Sequence, residues 1–308
     1  MKKKLKYSNI IILFLTLIMA FVTINAVNGF STDNSEVSSS TPNNTEIIDE
    51  NEIDESEITP GNTSSIVYTE ADCLKAWDYA YSVLQDGMGY KLTTAQSILI
   101  HLFGGKEQVF STTRSKYSDN TIYNYAESHG SKDNYEEYFY NPNTQKIYLR
   151  ESTVSNKFSS TQVMSESQFI SRKGNTPNKS VLILNSSTIQ GSTFSKKYLR
   201  TTNTNGTTKL ERLYSFRTIL NSGAAAEYKV AVKDGAKDYT DGKDPRFTSI
   251  WMDFTVNEKG YFTEIKYGGT YVVHGYGVDV NIDFQSTETY DQNFMNIYNM
   301  PSAPSWAV

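Results

Sequence analysis

Cysteine and histidine are nearly missing from this chain of 308 residues: one thiol, Cys73, and three imidazoles, His101, His129 and His274. A lone cysteine cannot close an intrachain disulfide, so the chain is not a disulfide-stapled scaffold. There is no His-Glu-x-x-His, no histidine pair at four-residue spacing and no Cys-x-x-Cys. A zinc site therefore has no local ligand set. A Gly-x-Ser-x-Gly elbow is missing as well, and Gly104-Gly105-Lys106 lacks the earlier glycine and the following hydroxyl of a phosphate loop. No catalytic constellation emerges. The chain reads as a protein that is not an enzyme and needs no metal or cofactor. Cys73 stands beside Asp72 on an apolar stripe, where a buried, inert thiol is expected.

The folded part also lacks an excess of either charge. Residues 1–30 carry four lysines and no acid; residues 31–65 carry nine acids and no base. That leaves 29 − 4 = 25 bases and 34 − 9 = 25 acids from residue 66 onward. A neutral body offers no clustered cations for a phosphate backbone, so nucleic acid is not an expected partner.

One hydrophobic run breaks the polar pattern. After the basic start comes Ile10 to Ile24, 15 residues, followed by the small residues Ala26 and Gly29. That length falls short of the ~20 residues of a spanning helix. Residues 1–29 read as a signal peptide, cleaved after Ala26 or Gly29, or as a retained membrane anchor. Either reading puts the remainder outside the cytoplasm, secreted or tethered to the outer face of the cytoplasmic membrane. Residues 30–65, rich in Ser, Thr, Asn and acids, read as a disordered linker, since they have too little apolar surface to offset chain entropy. Residues 66–308 read as one folded domain.

What is abundant is aromatic: 13% of the chain, with 22 tyrosines. That composition favours β-structure. Tyr68 to Gly87 is the clearest helix, with Thr69 placed to cap it and Leu74, Trp77, Tyr81 and Leu84 at three- and four-residue steps. A second helix is expected over Glu166 to Lys173, opened by a Ser165–Gln168 capping box and a Met164–Phe169 staple. A third is expected over Ala224 to Asp234. Nearly everything else alternates with period two, most sharply Val278, Val280, Ile282 and Phe284 against Asp279, Asn281, Asp283 and Gln285. Strands are expected at Leu92–Phe103, Gln108–Tyr117, Thr121–His129, Tyr135–Tyr140, Lys146–Glu151, Leu210–Leu220, Ile250–Val256, Tyr261–Tyr267 and Val278–Gln285. The region Ser180 to Thr202 is ambiguous.

The expected fold class is α+β: a strongly curved antiparallel sheet, a half-barrel of about nine strands wrapped around about three helices. An opening helix, an N-terminal meander, a helical middle and the closing hairpins Thr248 to Gly260 and Thr263 to Phe284 together resemble the LolA-like superfamily of lipoprotein carriers and the similar LppX-type lipid binders. The resemblance covers about residues 66–290 and is architectural. It implies a half-open barrel with a helical lid over a hydrophobic pocket that carries acyl chains or lipid-modified proteins. The chain departs from the LppX type in lacking a lipidated cysteine, and no ligand-contacting residue of the carriers maps onto it.

The expected function is therefore that of an exported binding protein holding a lipid or acylated partner in the concavity. Candidate lining residues are Trp77 and Tyr81 from the first helix and Met252, Phe254, Ile265, Val280 and Ile282 from the sheet, with plain core packing as the alternative. A different reading is an envelope module that binds wall glycan or protein through an exterior aromatic surface, Tyr123, Tyr125, Tyr138, Phe139 and Tyr140. Two acidic groups invite calcium. Asp279-Val-Asn281-Ile-Asp283 is discounted because Phe284 replaces the turn glycine, and Asp238, Asp241 and Asp244 read as a solvated turn.

Overall fold

The computed structural model describes residues 44–49, 66–85, 88–101, 105–130, 133–158, 160–173, 187–202, 208–220, 245–275, 277–291 and 302–307. Strand β1 spans Asn44–Asp49, helix α1 Cys73–Gln85, β2 Tyr90–His101, β3 Lys106–Lys116, β4 Ile122–His129, β5 Asn134–Asn141 and β6 Lys146–Ser152. There follow β7 Gln162–Ser165, α2 Glu166–Lys173, β8 Ile189–Thr202, β9 Thr208–Leu220, β10 Arg246–Asn257, β11 Phe262–Gly275 and β12 Val278–Tyr290. Short 3-10 turns cover Glu70–Asp72, just before α1, and Ser305–Ala307.

All twelve strands join one antiparallel sheet, in the order β1-β8-β9-β10-β11-β12-β2-β3-β4-β5-β6-β7. The sheet is open, with β1 and β7 at its edges. This overturns the expected half-barrel of about nine strands around about three helices: among the described residues there are twelve strands and two short α-helices. The expected third helix, Ala224 to Asp234, lies outside the described residues, as does the Asp238, Asp241 and Asp244 turn.

The three additional strands have physical reasons for escaping sequence patterning. β1 lies within the acidic segment expected to be a linker, and it is held by backbone pairing to β8, with Arg200 and Lys197 each 3.9 Å from Glu46 and Asp49. β7 is only four residues long. β8 lacks a clean two-residue burial alternation along most of its length.

The helix starts follow local chemistry. Thr69 N–H donates to Asp72 Oδ2 at 2.9 Å ahead of α1. At α2 the expected capping box forms: Ser165 N–H donates to Gln168 Oε1 at 2.8 Å, and Gln168 N–H donates to Ser165 Oγ at 3.3 Å. Met164 and Phe169 share a buried cluster with Ile122, Tyr138, Ile147 and Leu149, so the staple forms too. A larger cluster lies under α1, joining Ala76, Trp77 and Ala80 to Tyr214, Phe216, Met252, Phe254 and Phe262. Each helix thus buries one face against the same side of the sheet, α1 over β9–β12 and β2, α2 over β4–β6.

Two consecutive glycines let the central strand β11 pass close to its neighbours. A Cβ on Gly268 would stand 2.6 Å from the carbonyl oxygen of Phe284, and one on Gly269 would stand 2.3 Å from that of Ser249. Trp251, paired with Gly268 in the ladder, lays its ring over the vacant side-chain position.

Candidate polar belt on the inner sheet face

Cross-strand partners in an antiparallel ladder point to the same face, so one row can be followed across the sheet. From β8 it runs through Phe194, Phe216, Phe254 and Ile265. It then changes character, continuing through Glu288, Thr94, Thr112, Ala126, Glu136 and Glu151. Along this one row the side chains are apolar from β8 to β11 and mostly polar from β12 to β6.

The sequence-predicted lining falls on the apolar half and on β12. Trp77, Met252, Phe254 and Ile265 belong to the cluster under α1, and Tyr81 packs against it. Trp77 is 3% exposed and meets the Phe254 and Phe262 rings edge-on at 5.2 and 5.1 Å, with Tyr81 stacked on it at 6.4 Å. Phe216 stacks on Phe254 at 5.0 Å. Ring on ring, this region is packed interior. Val280 and Ile282 share the face but stand elsewhere, opposite Val273 and Tyr271 on β11, and are fully buried.

The polar half was not read from the sequence. Thr94, Thr112, Asn124 and Ser128 are each at most 4% exposed. Thr94 Oγ1, Gln96 Oε1, Thr112 Oγ1, Ser128 Oγ and both amide atoms of Asn124 have no hydrogen-bond partner among the described residues. Each such buried atom costs about 1–3 kcal/mol, so a group of them on adjacent strands of one face is not explained by fold stability. A signal was present: Thr94 and Gln96 share the parity of Leu92, Ile98 and Ile100 along β2, and Asn124 that of Ile122 and Ala126 along β4. Polar residues occupied positions where alternation calls for apolar ones.

Charged groups of both signs stand on this face. Arg114 is 3% exposed, and although burial opposes its charge, Tyr90, Tyr138, Tyr290 and Glu288 together raise its pKa above the ordinary value. Burial, then Arg114, pulls Lys116 down; its Nζ donates to the carbonyl of Leu84 at the end of α1, 3.4 Å away. Burial pushes the Glu288 carboxyl up to about 7, against the hydroxyls of Tyr290 and Tyr267, which donate to it at 3.2 and 3.4 Å, and against the nearby Arg114. Glu136, 2% exposed, and Glu151 opposite it are two further carboxyls on the face.

The remaining candidates resolve simply. Cys73 is buried, and burial raises its thiol pKa against a hydrogen bond with Ser192, which leaves it a poor nucleophile. Each histidine stands by an aspartate: His101 by Asp283 at 2.6 Å, His274 by Asp279 at 2.5 Å and His129 by Asp133 at 3.3 Å. Asp279 to Asp283 is strand, and no cluster able to hold a metal occurs among the described residues. Of the rings expected outside, Tyr138, Phe139 and Tyr140 are buried, and the hydroxyls of Tyr123 and Tyr125 donate to Glu137 and Glu127. Among the described residues no helix is long and apolar enough to cross a membrane; the expected signal peptide or membrane anchor at residues 1–29 lies outside them.

No family model matches the chain, and no curated protein does. Among solved structures it is similar to a DUF1329 family protein from Desulfovibrio piger, 9% identical, covering 74% of this chain and 94% of the other at a TM-score of 0.22. It is also similar to a putative outer membrane lipoprotein-sorting protein domain from Vibrio parahaemolyticus, 5% identical, covering 73% and 94% at a TM-score of 0.19. Likenesses this distant do not bear on what the chain binds.

Proposed function

We propose that this chain is an exported, non-enzymatic binding protein that holds a lipid or acylated partner against the inner face of its sheet. The observation that carries the reading is the change along a single buried face from apolar to hydrogen-bonding side chains. An amphipathic ligand has the same division. Beside the belt, Ile98, Ile100, Val280 and Ile282 form a buried apolar strip across β2 and β12. Burial of hydrocarbon at ~25 cal/mol per Å² gives useful affinity for an acyl chain without covalent chemistry. Export rests on the basic-then-apolar pattern of residues 1–29. An exterior glycan-binding surface is not favoured, because the rings it needs are buried or hydrogen-bonded.

Native mass spectrometry of the gently purified chain, with solvent extraction of the same sample, tests this. A co-purifying lipid, or uptake of added monoacylglycerol by the empty protein, is expected. A protein that arrives empty and takes up neither monoacylglycerol nor fatty acid would rule it out.

A further inference from the structure

We infer that the belt formed by Thr94, Gln96, Thr112, Asn124 and Ser128 is a binding site for a neutral group rich in hydroxyls and amides, such as a saccharide. It deepens the preceding proposal and rests on the same reading of the inner face as a binding surface. The argument is one of donors and acceptors. Thr94, Thr112 and Ser128 each offer a hydroxyl that both donates and accepts; Gln96 offers an acceptor; Asn124, fully buried, offers a donor and an acceptor side by side. All belong to the same face of three adjacent strands: Thr94 lies opposite Thr112, and the strand carrying Thr112 pairs with the one carrying Asn124 and Ser128.

A ligand that completes this set must both donate and accept. A hydrocarbon does neither. A carboxylate brings acceptors alone, which leaves Gln96 Oε1 and Asn124 Oδ1 unmet; a phosphate brings only one or two hydroxyl donors, and either anion adds a charge to a face where Arg114 and Lys116 already stand with Glu136 and Glu288. A polyol or an N-acylated amino sugar supplies both kinds of group and no net charge. The same chemistry could come from a free sugar or from the headgroup of an acylated one.

Calorimetric titration of the full chain, kept soluble in amphipol, separates these. The probes are N-acetylglucosamine, its octyl glycoside below the micelle concentration, and inorganic phosphate. N-acetylglucosamine is expected to bind and phosphate not to. An octyl glycoside at least tenfold tighter than the free sugar supports the site as a headgroup subsite. Equal affinities support the site while removing the case for an apolar ligand. Binding of phosphate alone, or of none of the three, overturns the inference and leaves the belt to water.

Asn124→Leu and Thr94→Val are expected to weaken sugar binding at least tenfold while the unliganded Tm stays the same or rises, because each removes buried polar atoms that lack a partner. Unchanged binding in both variants, or a Tm that falls in both, overturns it.

Discussion

Tyr290 donates its hydroxyl to Glu288 Oε2 at 3.2 Å, two residues back along one face of β12. Even with that bond and a weaker one from Tyr267, burial holds the Glu288 carboxyl pKa at about 7 against a usual 4.5. The unfolded chain therefore ionises this group first as pH rises. Its contribution to stability is whole below pH 4.5, declines between about 4.5 and 7, and is then lost, to a total of about 3 kcal/mol. Glu288→Gln removes that slope. Urea unfolding at pH 4.5, 6 and 8 checks it: the variant gains on the parent from the first to the last. Parallel curves would place the carboxyl in an ordinary, solvated setting.

Arg150 lies between two rings, its guanidinium carbon 4.5 Å from the centre of Phe158 and 4.4 Å from that of Trp306, while its Nε donates to Glu137 Oε2 at 2.6 Å. The Glu137 side chain is only 6% exposed. Arg150→Ala leaves that carboxylate without its cation and is expected to cost about 3–5 kcal/mol. Trp306→Ala removes one cation–ring contact at about 1–2 kcal/mol. Chemical denaturation ranks them; a larger loss for Trp306→Ala would contradict this order.

Gly260 and Gly269 should respond differently to alanine. At Gly260, φ is +79° and the nearest atoms to a new Cβ belong to the Tyr79 ring, which is 43% exposed and can swing aside. What remains is the left-handed backbone, about 1–2 kcal/mol, and the hydroxyl of the buried Tyr68 at 2.9 Å, a side-chain end that needs to give by only a few tenths of an ångström. At Gly269 the obstruction is the Ser249 main chain in mid-sheet, which cannot move without breaking the ladder. Gly269→Ala is expected to lower Tm well beyond Gly260→Ala, as differential scanning fluorimetry would register.

Trp77→Ala is expected to cost about 3–5 kcal/mol, the range for deleting a large ring from a packed interior, because its neighbours Phe254 and Phe262 are themselves locked by other rings. If the region were an open ligand cavity instead, the variant would retain most of its stability while losing affinity for any apolar probe.

The strands that carry regular alternation were legible from sequence. The Val278 to Phe284 pattern marked β12 to within a few residues, and Ser165 with Gln168 marked the start of α2. β1 was not legible, because its stability comes from backbone pairing to β8 rather than from an apolar stripe of its own. Five of the predicted lining residues do meet, yet alternation reports only that a side chain faces inward; whether the space beyond is empty or occupied by another ring is a matter of tertiary packing. The belt was missed for the converse reason. Threonine suits a strand on either face, so the break that Thr94 makes in the β2 alternation carries little weight until the ladder puts it opposite Thr112.

β1 also sets a leash. Pairing of Asn44–Asp49 with β8 ties the acidic segment to the outermost edge of the sheet, so only residues 30–43 separate that edge from residues 1–29, proposed above as an export segment. At most ~3.5 Å per residue, that is a reach of about 50 Å. If residues 1–29 are a retained anchor, the sheet is confined to a shallow zone above the lipid surface; if they are a cleaved signal peptide, it is free to leave that zone.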